Sequence, residues 1–304
     1  MEYILEINNL EKRYGRNVVI KNLNMHVPKC AIYGLIGKNG AGKTTLIRIL
    51  CGLQRPTSGT YNILGISNNG GKINNARKRI GAIIENPSIC LDMTAEDNLK
   101  EQCKIIGLPN FDDVYEILKI VGLEDTGKKK AKHFSLGMKQ RLGIAIALVG
   151  SPDMLILDEP VNGLDPEGII EIRELILKLN TEKGITFLIS SHYLDELSKI
   201  ATYYGFMNLN KIVKEISKEE LEENFKKKTI IKVNNIKECV IYLEENKIPY
   251  KIISNEIIEI YKKINISEFV ITLSKKDCII KDVIEKDESL ENYYLNLIGG
   301  VKDV

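Results

Sequence analysis

The spacing of hydrophobic and polar positions predicts an α/β fold. Short apolar runs of the length of a buried strand alternate with segments that have the 3.6-residue spacing of an amphipathic helix, most clearly at 114–121 and 169–179. The strand-like runs fall at residues 3–7, 18–20, 30–36, 154–157 and 186–190. Strands joined by crossover helices favour a parallel sheet, here with a helical insert between its halves.

The pattern changes after about residue 210, where lysine, glutamate and isoleucine dominate and glycine is missing until Gly299. The predicted elements there are a strand at 229–234, a helix at 237–246, a hairpin at 250–261, a helix at 267–275 and a strand at 279–284. This βαββαβ order is that of a ferredoxin-like domain. We therefore expect one domain at 1–215, with a helical subdomain at about 86–150, and a small accessory α+β domain at 216–304.

Composition narrows the class of protein. Lysine and arginine total 43 against 41 acidic residues, a net charge of +2, which gives no electrostatic footprint for nucleic acid. The six cysteines show no C-x-x-C spacing, and neither a leader-like segment nor an apolar run of roughly 18 residues is evident. We expect reduced thiols in a cytosolic protein that depends on another chain for any membrane crossing.

The segment from Gly37 to Thr44 carries the first chemical motif. It reads GKNGAGKT, fits the phosphate-loop pattern G-x-x-x-x-G-K-[ST], and stands between a predicted strand and a predicted helix. Backbone N–H groups of such a loop wrap phosphates, while Lys43 reaches the β and γ oxygens and the Thr44 hydroxyl ligates Mg²⁺. The candidate ATP ligands here are Gly37, Asn39, Gly40, Ala41, Gly42, Lys43, Thr44 and Thr45. A glycine-rich turn with a chance lysine is the structural alternative.

Two acids and a histidine follow later strands of the predicted sheet. Asp158 and Glu159 come after the run at 154–157, and His192 follows the run at 186–190. Open α/β sheets bind ligands at the carboxyl ends of their strands, so we expect all three beside the phosphate loop. There Asp158 can hold Mg²⁺, Glu159 can act as general base, and His192 can contact the γ-phosphate and the water. A surface turn and a structural histidine are the alternatives for each motif taken alone.

A second anion-binding pattern lies well downstream of the phosphate loop. Residues 134–141 read FSLGMKQR, with Ser135 and Gly137 at the start of a predicted helix. Helix N-termini bind anions because their unpaired N–H groups and the helix dipole point the same way. Ser135 also suits a helix N-cap, a role that is compatible with anion binding.

Taken in order, these motifs resemble those of the ATPase subunits of ABC transporters. The resemblance covers about residues 1–215 and implies a P-loop ATPase fold, a mixed sheet with a helical subdomain, that binds ATP and Mg²⁺. It adds Tyr14, expected to stack on adenine for roughly 1–3 kcal/mol, although a strand tyrosine is more often plain packing. It also matches Gly163, Leu164 and Asp165 to the family's dimer-contact loop.

The same resemblance says which anion the second site meets. In this family two ATPase domains pack head to tail, so the signature of one domain would contact the γ-phosphate held by the other. The signature residues here are Ser135, Leu136, Gly137 and Met138, where the family usually has Ser-Gly-Gly-Gln. The resemblance further implies a homodimer or heterodimer of ATPase subunits that docks on an integral membrane permease, through residues 85–122, at the cytoplasmic face of the membrane.

Glu85 departs from the family pattern, in which most members carry a glutamine that touches Mg²⁺ and water. A glutamate has similar reach, and nearby Mg²⁺ would favour its ionised form, so the implied metal ligands are Thr44, Glu85 and Asp158. Together with the Ser-Leu-Gly-Met signature, this glutamate resembles the subfamily that exports, or protects against, lantibiotics, bacitracin and similar peptides. Drift from glutamine in a generic drug or lipid exporter is the alternative.

Two other classes of function stay open. Soluble ABC ATPases of translation and DNA repair have two fused halves or a long inserted module, and this sequence shows one phosphate loop and no such insertion. A nucleotide-binding module without turnover is the other class, and Glu159 and His192 weigh against it. The residues after about 210 match no functional motif.

Overall fold

The computed structural model describes residues 2–108, 110–224, 228–262, 264–286 and 290–299. Its Cα positions divide into two compact units, Met1–Lys218 and Glu219–Val304. In chain order the elements are β1 (Tyr3–Tyr14), β2 (Asn17–Pro28), β3 (Ile32–Gly37), α1 (Lys43–Leu50), β4 (Ser58–Ile63), β5 (Ile66–Ser67), α2 (Ile73–Arg77), β6 (Ile80–Ile83), α3 (Ala95–Ile106), α4 (Val114–Ile120), α5 (Leu136–Leu148), β7 (Met154–Asp158), α6 (Pro166–Lys183), β8 (Thr186–Ser191), α7 (Leu194–Ile200), β9 (Tyr203–Asn208), β10 (Lys211–Ser217), α8 (Lys218–Asn224), β11 (Lys228–Val233), α9 (Ile236–Glu245), β12 (Tyr250–Ile252), β13 (Ile257–Ile260), α10 (Ile266–Ser274), β14 (Ile280–Lys286) and α11 (Leu290–Gly299).

A six-stranded sheet in the order β10-β9-β3-β8-β7-β6 forms the centre of the first unit. Its strand pairs are parallel except for the β9–β10 pair at one edge. Every residue of β3, β7 and β8 is buried, as expected for parallel strands covered on both faces. This burial explains why the three strands appear in the sequence as continuous apolar runs, and it confirms the predicted α/β class.

A second, antiparallel sheet in the order β2-β1-β4-β5 shares an apolar core with α1. Strands β1 and β2 are twelve residues long, considerably longer than the predicted strands at 3–7 and 18–20. Their pairing contains several register shifts, for example between Ile7 and Leu10. Each shift interrupts the alternation of buried and exposed positions, and the sequence pattern therefore breaks before the strand ends.

Three helices, α3, α4 and α5, connect β6 to β7 and form the helical insert. A capping box between Thr94 and Asp97 begins α3, and Gly107 ends it in the left-handed conformation with φ 77°. Gly122, with φ 65°, follows the end of α4 in the same way. The predicted helical stretch is thus divided at its glycines. Among the described residues, no helix combines the length and apolar character needed to cross a membrane.

The second unit has the predicted βαββαβ order, from β11 to β14. Its antiparallel sheet runs β12-β13-β11-β14, which is the strand arrangement of a ferredoxin-like fold. The core between the sheet and its helices contains Ile231, Leu243, Ile258, Phe269 and Leu273. Each of these elements lies within a few residues of its predicted bounds. Helix α11, which follows, is not indicated by the sequence pattern.

Candidate ATP site

The phosphate loop connects the end of β3 to the start of α1. Gly42 has φ 105°, and a Cβ added there would lie 2.7 Å from the carbonyl oxygen of Val19. Glycine is therefore required at this position both by the backbone conformation and by the close approach of β2. Within the described part of the chain no side chain caps α1 at Gly42. The first N–H groups of this helix are accordingly suited to bind an anion.

A cavity of about 270 Å³ opens beside this loop. Its walls are Val19, the loop from Lys38 to Thr45, and Glu159. Two larger cavities lie elsewhere. One of about 320 Å³ lies beside the amino ends of β7 and β8, at Pro152 and Thr186, and one of about 290 Å³ lies in the helical insert, at Phe111 and Tyr115. We place the site at the cavity of about 270 Å³ because, of these three, it alone is lined by the phosphate loop together with a candidate catalytic acid, Glu159.

Lys43 lies inside the phosphate loop, with only 6% of its surface exposed. Its Nζ donates a hydrogen bond to the carbonyl oxygen of Gly37 at 2.7 Å and lies 3.6 Å from Oε1 of Glu159. The ammonium group is thus held between the loop and the candidate general base. Phosphate oxygens bound in the loop would meet this positive charge directly.

Asp158 ends β7 and lies opposite Ser190 in the parallel pairing with β8. The hydroxyl of Ser190 donates a hydrogen bond to Oδ1 of Asp158, whose exposure is 2%. A buried carboxylate needs such a partner, since burial without hydrogen bonds is costly. Sequence reasoning misses Ser190, because the register that brings it to Asp158 cannot be read from one chain.

The residues present fit a Mg²⁺ ion bound together with nucleotide. Mg²⁺ takes oxygen ligands and usually keeps several waters, with one or two protein groups and the substrate phosphates completing its shell. The hydroxyl of Thr44 and the carboxylate of Asp158 are oxygen donors of this kind. No cluster of three or more histidine, cysteine or acidic side chains able to hold a metal alone was found among the described residues.

Glu159 is aimed by an unusual backbone conformation, with φ 52°. Its N–H donates to the carbonyl oxygen of Ser190 at 3.0 Å, which holds the turn against β8. Its Oε2 lies 2.8 Å from Nδ1 of His192, whose backbone N–H also points to the same oxygen at 3.3 Å. The structure therefore brings Glu159 and His192 into direct contact beside Lys43. A left-handed backbone at a non-glycine residue is strained, and the hydrogen bonds of Glu159 to Ser190 hold it in place here.

Glu85 follows β6, and its side chain is 58% exposed. Its Oε1 lies 2.6 Å from Nη2 of Arg48 in α1. Glu85 is not part of the cavity wall, whereas Thr44 is. Its role as a metal ligand stays a prediction, and the structure gives it a partner that the sequence did not indicate.

Tyr14 is 46% exposed and so is not packed in the core. Its hydroxyl hydrogen-bonds Oε1 of Gln54, and Nζ of Lys12 lies 4.9 Å from the centre of its ring. It does not belong to the cavity wall. The ring is exposed, and its stacking on adenine stays a prediction.

Ser135 is the N-cap of α5, and its Oγ accepts a hydrogen bond from the N–H of Met138 at 3.2 Å. Leu136, next to it, is 52% exposed. A Cβ added to Gly137 would meet nothing nearer than the Cα of Gly168, at 3.9 Å. Nothing in the described part of the chain therefore requires glycine at position 137.

The predicted dimer-contact loop lies beside the signature. A Cβ added to Gly163 would lie 3.4 Å from the side chain of Leu136, and Asp165 caps α6 by accepting from the N–H of Gly168 at 3.0 Å. None of the signature residues or loop residues belongs to the wall of the cavity. The signature and the dimer-contact loop thus lie together, outside the wall of the cavity.

The thiol of Cys51, at the end of α1, is unsuited to chemistry at this site. Burial raises its pKa to about 12, so the thiol is protonated at neutral pH. A protonated thiol is a poor nucleophile and a poor metal ligand.

Comparison with known proteins gives consistent matches. Residues 20–162 match the family described as ABC transporter. The chain is 39% identical to the bacitracin transport ATP-binding protein BcrA of Enterococcus faecalis over 99% of its length and 98% of that protein. It is 44% identical to the lantibiotic transport ATP-binding protein SrtF of Streptococcus pyogenes over 73% of its length and 96% of that protein. Among solved structures, CbiO1 of Clostridium perfringens, part of an ABC transporter complex, matches 74% of this chain and 92% of its own with TM-score 0.65 and 28% identity.

Proposed function

The chain belongs to the ATP-binding subunits of ABC transporters, and from this premise we propose that each of its ATP sites is completed by the signature of a second ATPase subunit. The family is the one inferred from the motifs, and its members hydrolyse ATP to drive transport. The proposal depends on one observation above all. Gly137 has no internal reason to be glycine, and its helix N-terminus lies outside the cavity wall.

Five side chains of one subunit have distinct parts in the proposed reaction. Lys43 binds the β and γ phosphate oxygens, and Glu159 accepts a proton from the attacking water. His192 fixes the orientation of Glu159 through the 2.8 Å contact. Asp158, fixed by Ser190, and Thr44 would hold Mg²⁺, which neutralises phosphate charge. The N-terminus of α5 from the second subunit stabilises the charge on the γ-phosphate.

His192→Ala should lower the rate of ATP hydrolysis by roughly ten- to a hundredfold, since Glu159 loses the partner that orients it. The dissociation constant for ATP should change little, because the phosphate loop is untouched. A phosphate-release assay and a binding titration measure both quantities. His26→Ala is a matched control, since His26 makes a similar contact with Glu215 at 2.9 Å elsewhere in the first unit. Unchanged turnover in His192→Ala would show that His192 has no part in the reaction.

We further propose that the substrate is a bacitracin-like or lantibiotic-like peptide, and that the subunit powers a separate membrane permease from the cytoplasmic face. The support is the pair of named relatives, one of which matches nearly the full chain. Glu85 in place of the family's usual glutamine agrees with that subfamily. A generic drug or lipid exporter is the second candidate.

Loss of the gene should sensitise cells to bacitracin or to lantibiotics, because the peptide would no longer be removed from its target. Minimum inhibitory concentrations are measured for both peptide classes and for unrelated drugs, in cells that retain the permease gene. Restoring the wild-type gene should restore resistance, whereas a gene encoding Glu159→Gln should not. Unchanged sensitivity to the whole peptide panel, with altered sensitivity to other drugs, would favour the generic exporter.

A further inference from the structure

Strand β6 and the signature helix α5 are packed at backbone distance. A Cβ added to Gly81, within β6, would collide with the carbonyl oxygen of Ala147 in α5. A Cβ added to Gly143, in the middle of α5, would lie 2.5 Å from Cβ of Pro87, just after β6. Both glycines are therefore needed for this close contact. We call β6, the turn 84–87 and α5 together the β6–α5 unit.

The β6–α5 unit lies at the edge of the large sheet, where β7 is the one described strand that pairs with β6. The turn that follows β6 is tight: Glu85 has φ 62°, and the N–H of Asn86 donates to the carbonyl oxygen of Ile84 at 2.8 Å. A non-glycine residue in this conformation is strained and persists only where its surroundings hold it. Two contacts of this turn are identified, the packing of Pro87 on α5 and the ion pair of Glu85 with Arg48.

Arg48 connects this turn to the phosphate loop, because it lies on α1, the helix that begins at Lys43. Nη2 of Arg48 and Oε1 of Glu85 are 2.6 Å apart. We propose that Arg48 is a positioning residue whose ion pair with Glu85 ties the β6–α5 unit to α1. The pair thereby sets where one subunit presents Ser135 relative to its own phosphate loop. In a head-to-tail dimer Ser135 and the phosphate loop of one subunit must contact the partner at the same time. Their relative position therefore decides how well both ATP sites of the dimer can form.

The expected effect is modest, because both side chains are partly exposed. Exposed ion pairs of this kind change an equilibrium by about two- to fivefold. A double-mutant cycle is suited to an effect of this size, since it isolates the interaction between the two residues from their other contacts. Glu85→Gln is the appropriate second variant, as it removes the charge and keeps the length of the side chain.

The first measurement is amide hydrogen exchange of residues 84–86 in the full chain without nucleotide. Arg48→Met should raise the exchange rate of the Asn86 amide about two- to fivefold, and should have no further effect in the Glu85→Gln background. Arg48→Lys, which keeps the charge, should restore most of the protection. Arg79→Met is a matched control: it breaks an arginine ion pair with Asp153, at 2.5 Å, beside the other end of the same strand. It should leave the exchange of the amides at 84–86 unchanged.

The second measurement is the dissociation constant of the ATP-bound dimer in the Glu159→Gln background, which rests on the proposed two-subunit site. Arg48→Met should weaken the dimer about two- to fivefold while leaving ATP binding to the single subunit unchanged. An equal effect of Arg48→Met whether Glu85 is retained or replaced by Glu85→Gln, or unaltered exchange, would overturn the positioning role. If no ATP-dependent dimer forms but hydrogen exchange changes as expected in Arg48→Met, the two-subunit site would be overturned and the role of the ion pair would stand.

Discussion

Glu159→Gln should lower the rate of ATP hydrolysis at least about a hundredfold, and should trap the protein as an ATP-bound dimer. Glutamine keeps the shape of the side chain and can still hydrogen-bond His192, so the turn at the end of β7 has no reason to change. It cannot accept the proton of the attacking water. ATP therefore remains bound, and the contacts that its γ-phosphate makes with two subunits persist.

Phosphate release and size-exclusion chromatography with and without ATP measure the two parts of this result. Glu215→Gln is a suitable control, because Glu215 also contacts a histidine, His26, but lies outside the cavity wall. Normal turnover in Glu159→Gln would exclude Glu159 as the general base. Lost turnover without an ATP-dependent dimer would support Glu159 as the general base and would contradict the proposed pairing of two subunits.

Gly137→Asp should lower hydrolysis by roughly a hundredfold, the usual effect of losing one donor to developing oxyanion charge. The new carboxylate would stand at the N-terminus of α5, where the partner's γ-phosphate is expected, and like charges repel. The fold should be unaffected, since the space around Gly137 is open to 3.9 Å. ATP binding to the single subunit should also be unaffected. Thermal unfolding, an ATP titration and a phosphate-release assay measure the three quantities.

Gly143→Ala provides the contrast within the same helix. There a Cβ would lie 2.5 Å from Pro87, so we expect a lower unfolding temperature together with any loss of activity. Gly137→Asp should lower the activity without lowering the unfolding temperature. If Gly137→Asp destabilised the isolated subunit as much as Gly143→Ala does, its effect on hydrolysis would say nothing about a partner.

Motifs that stand at strand ends can be predicted from sequence, because a buried parallel strand is a continuous apolar run. This pattern predicts the phosphate loop after β3, Asp158 after β7 and His192 after β8 at one sheet edge, and Glu159 and His192 do meet there. The elements of the second unit from β11 to β14 can also be predicted from the sequence, since each lies within a few residues of its predicted bounds. The lengths of β1 and β2 cannot be predicted in this way, because register shifts interrupt the alternation of buried and exposed positions in these strands.

Contacts between distant side chains could not be predicted. Ser190 reaches Asp158 only through the register of β7 and β8, and Arg48 reaches Glu85 only through the packing of α1 near the end of β6. One sequence contains no record of either pairing. The metal role of Glu85 and the adenine contact of Tyr14 remain predictions for the same reason, as each depends on a ligand that only a complex can locate.

The most direct test of the central claim mixes two inactive variants, Lys43→Ala and Gly137→Asp. A mixed dimer contains one site with both defects and one with none, since the intact phosphate loop and the intact signature come from different subunits. If half of the dimers are mixed, we expect hydrolysis to recover to about a quarter of the wild-type rate, and to fall again on dilution. A mixture no more active than its separate components would contradict the account, as would substantial activity of Gly137→Asp alone.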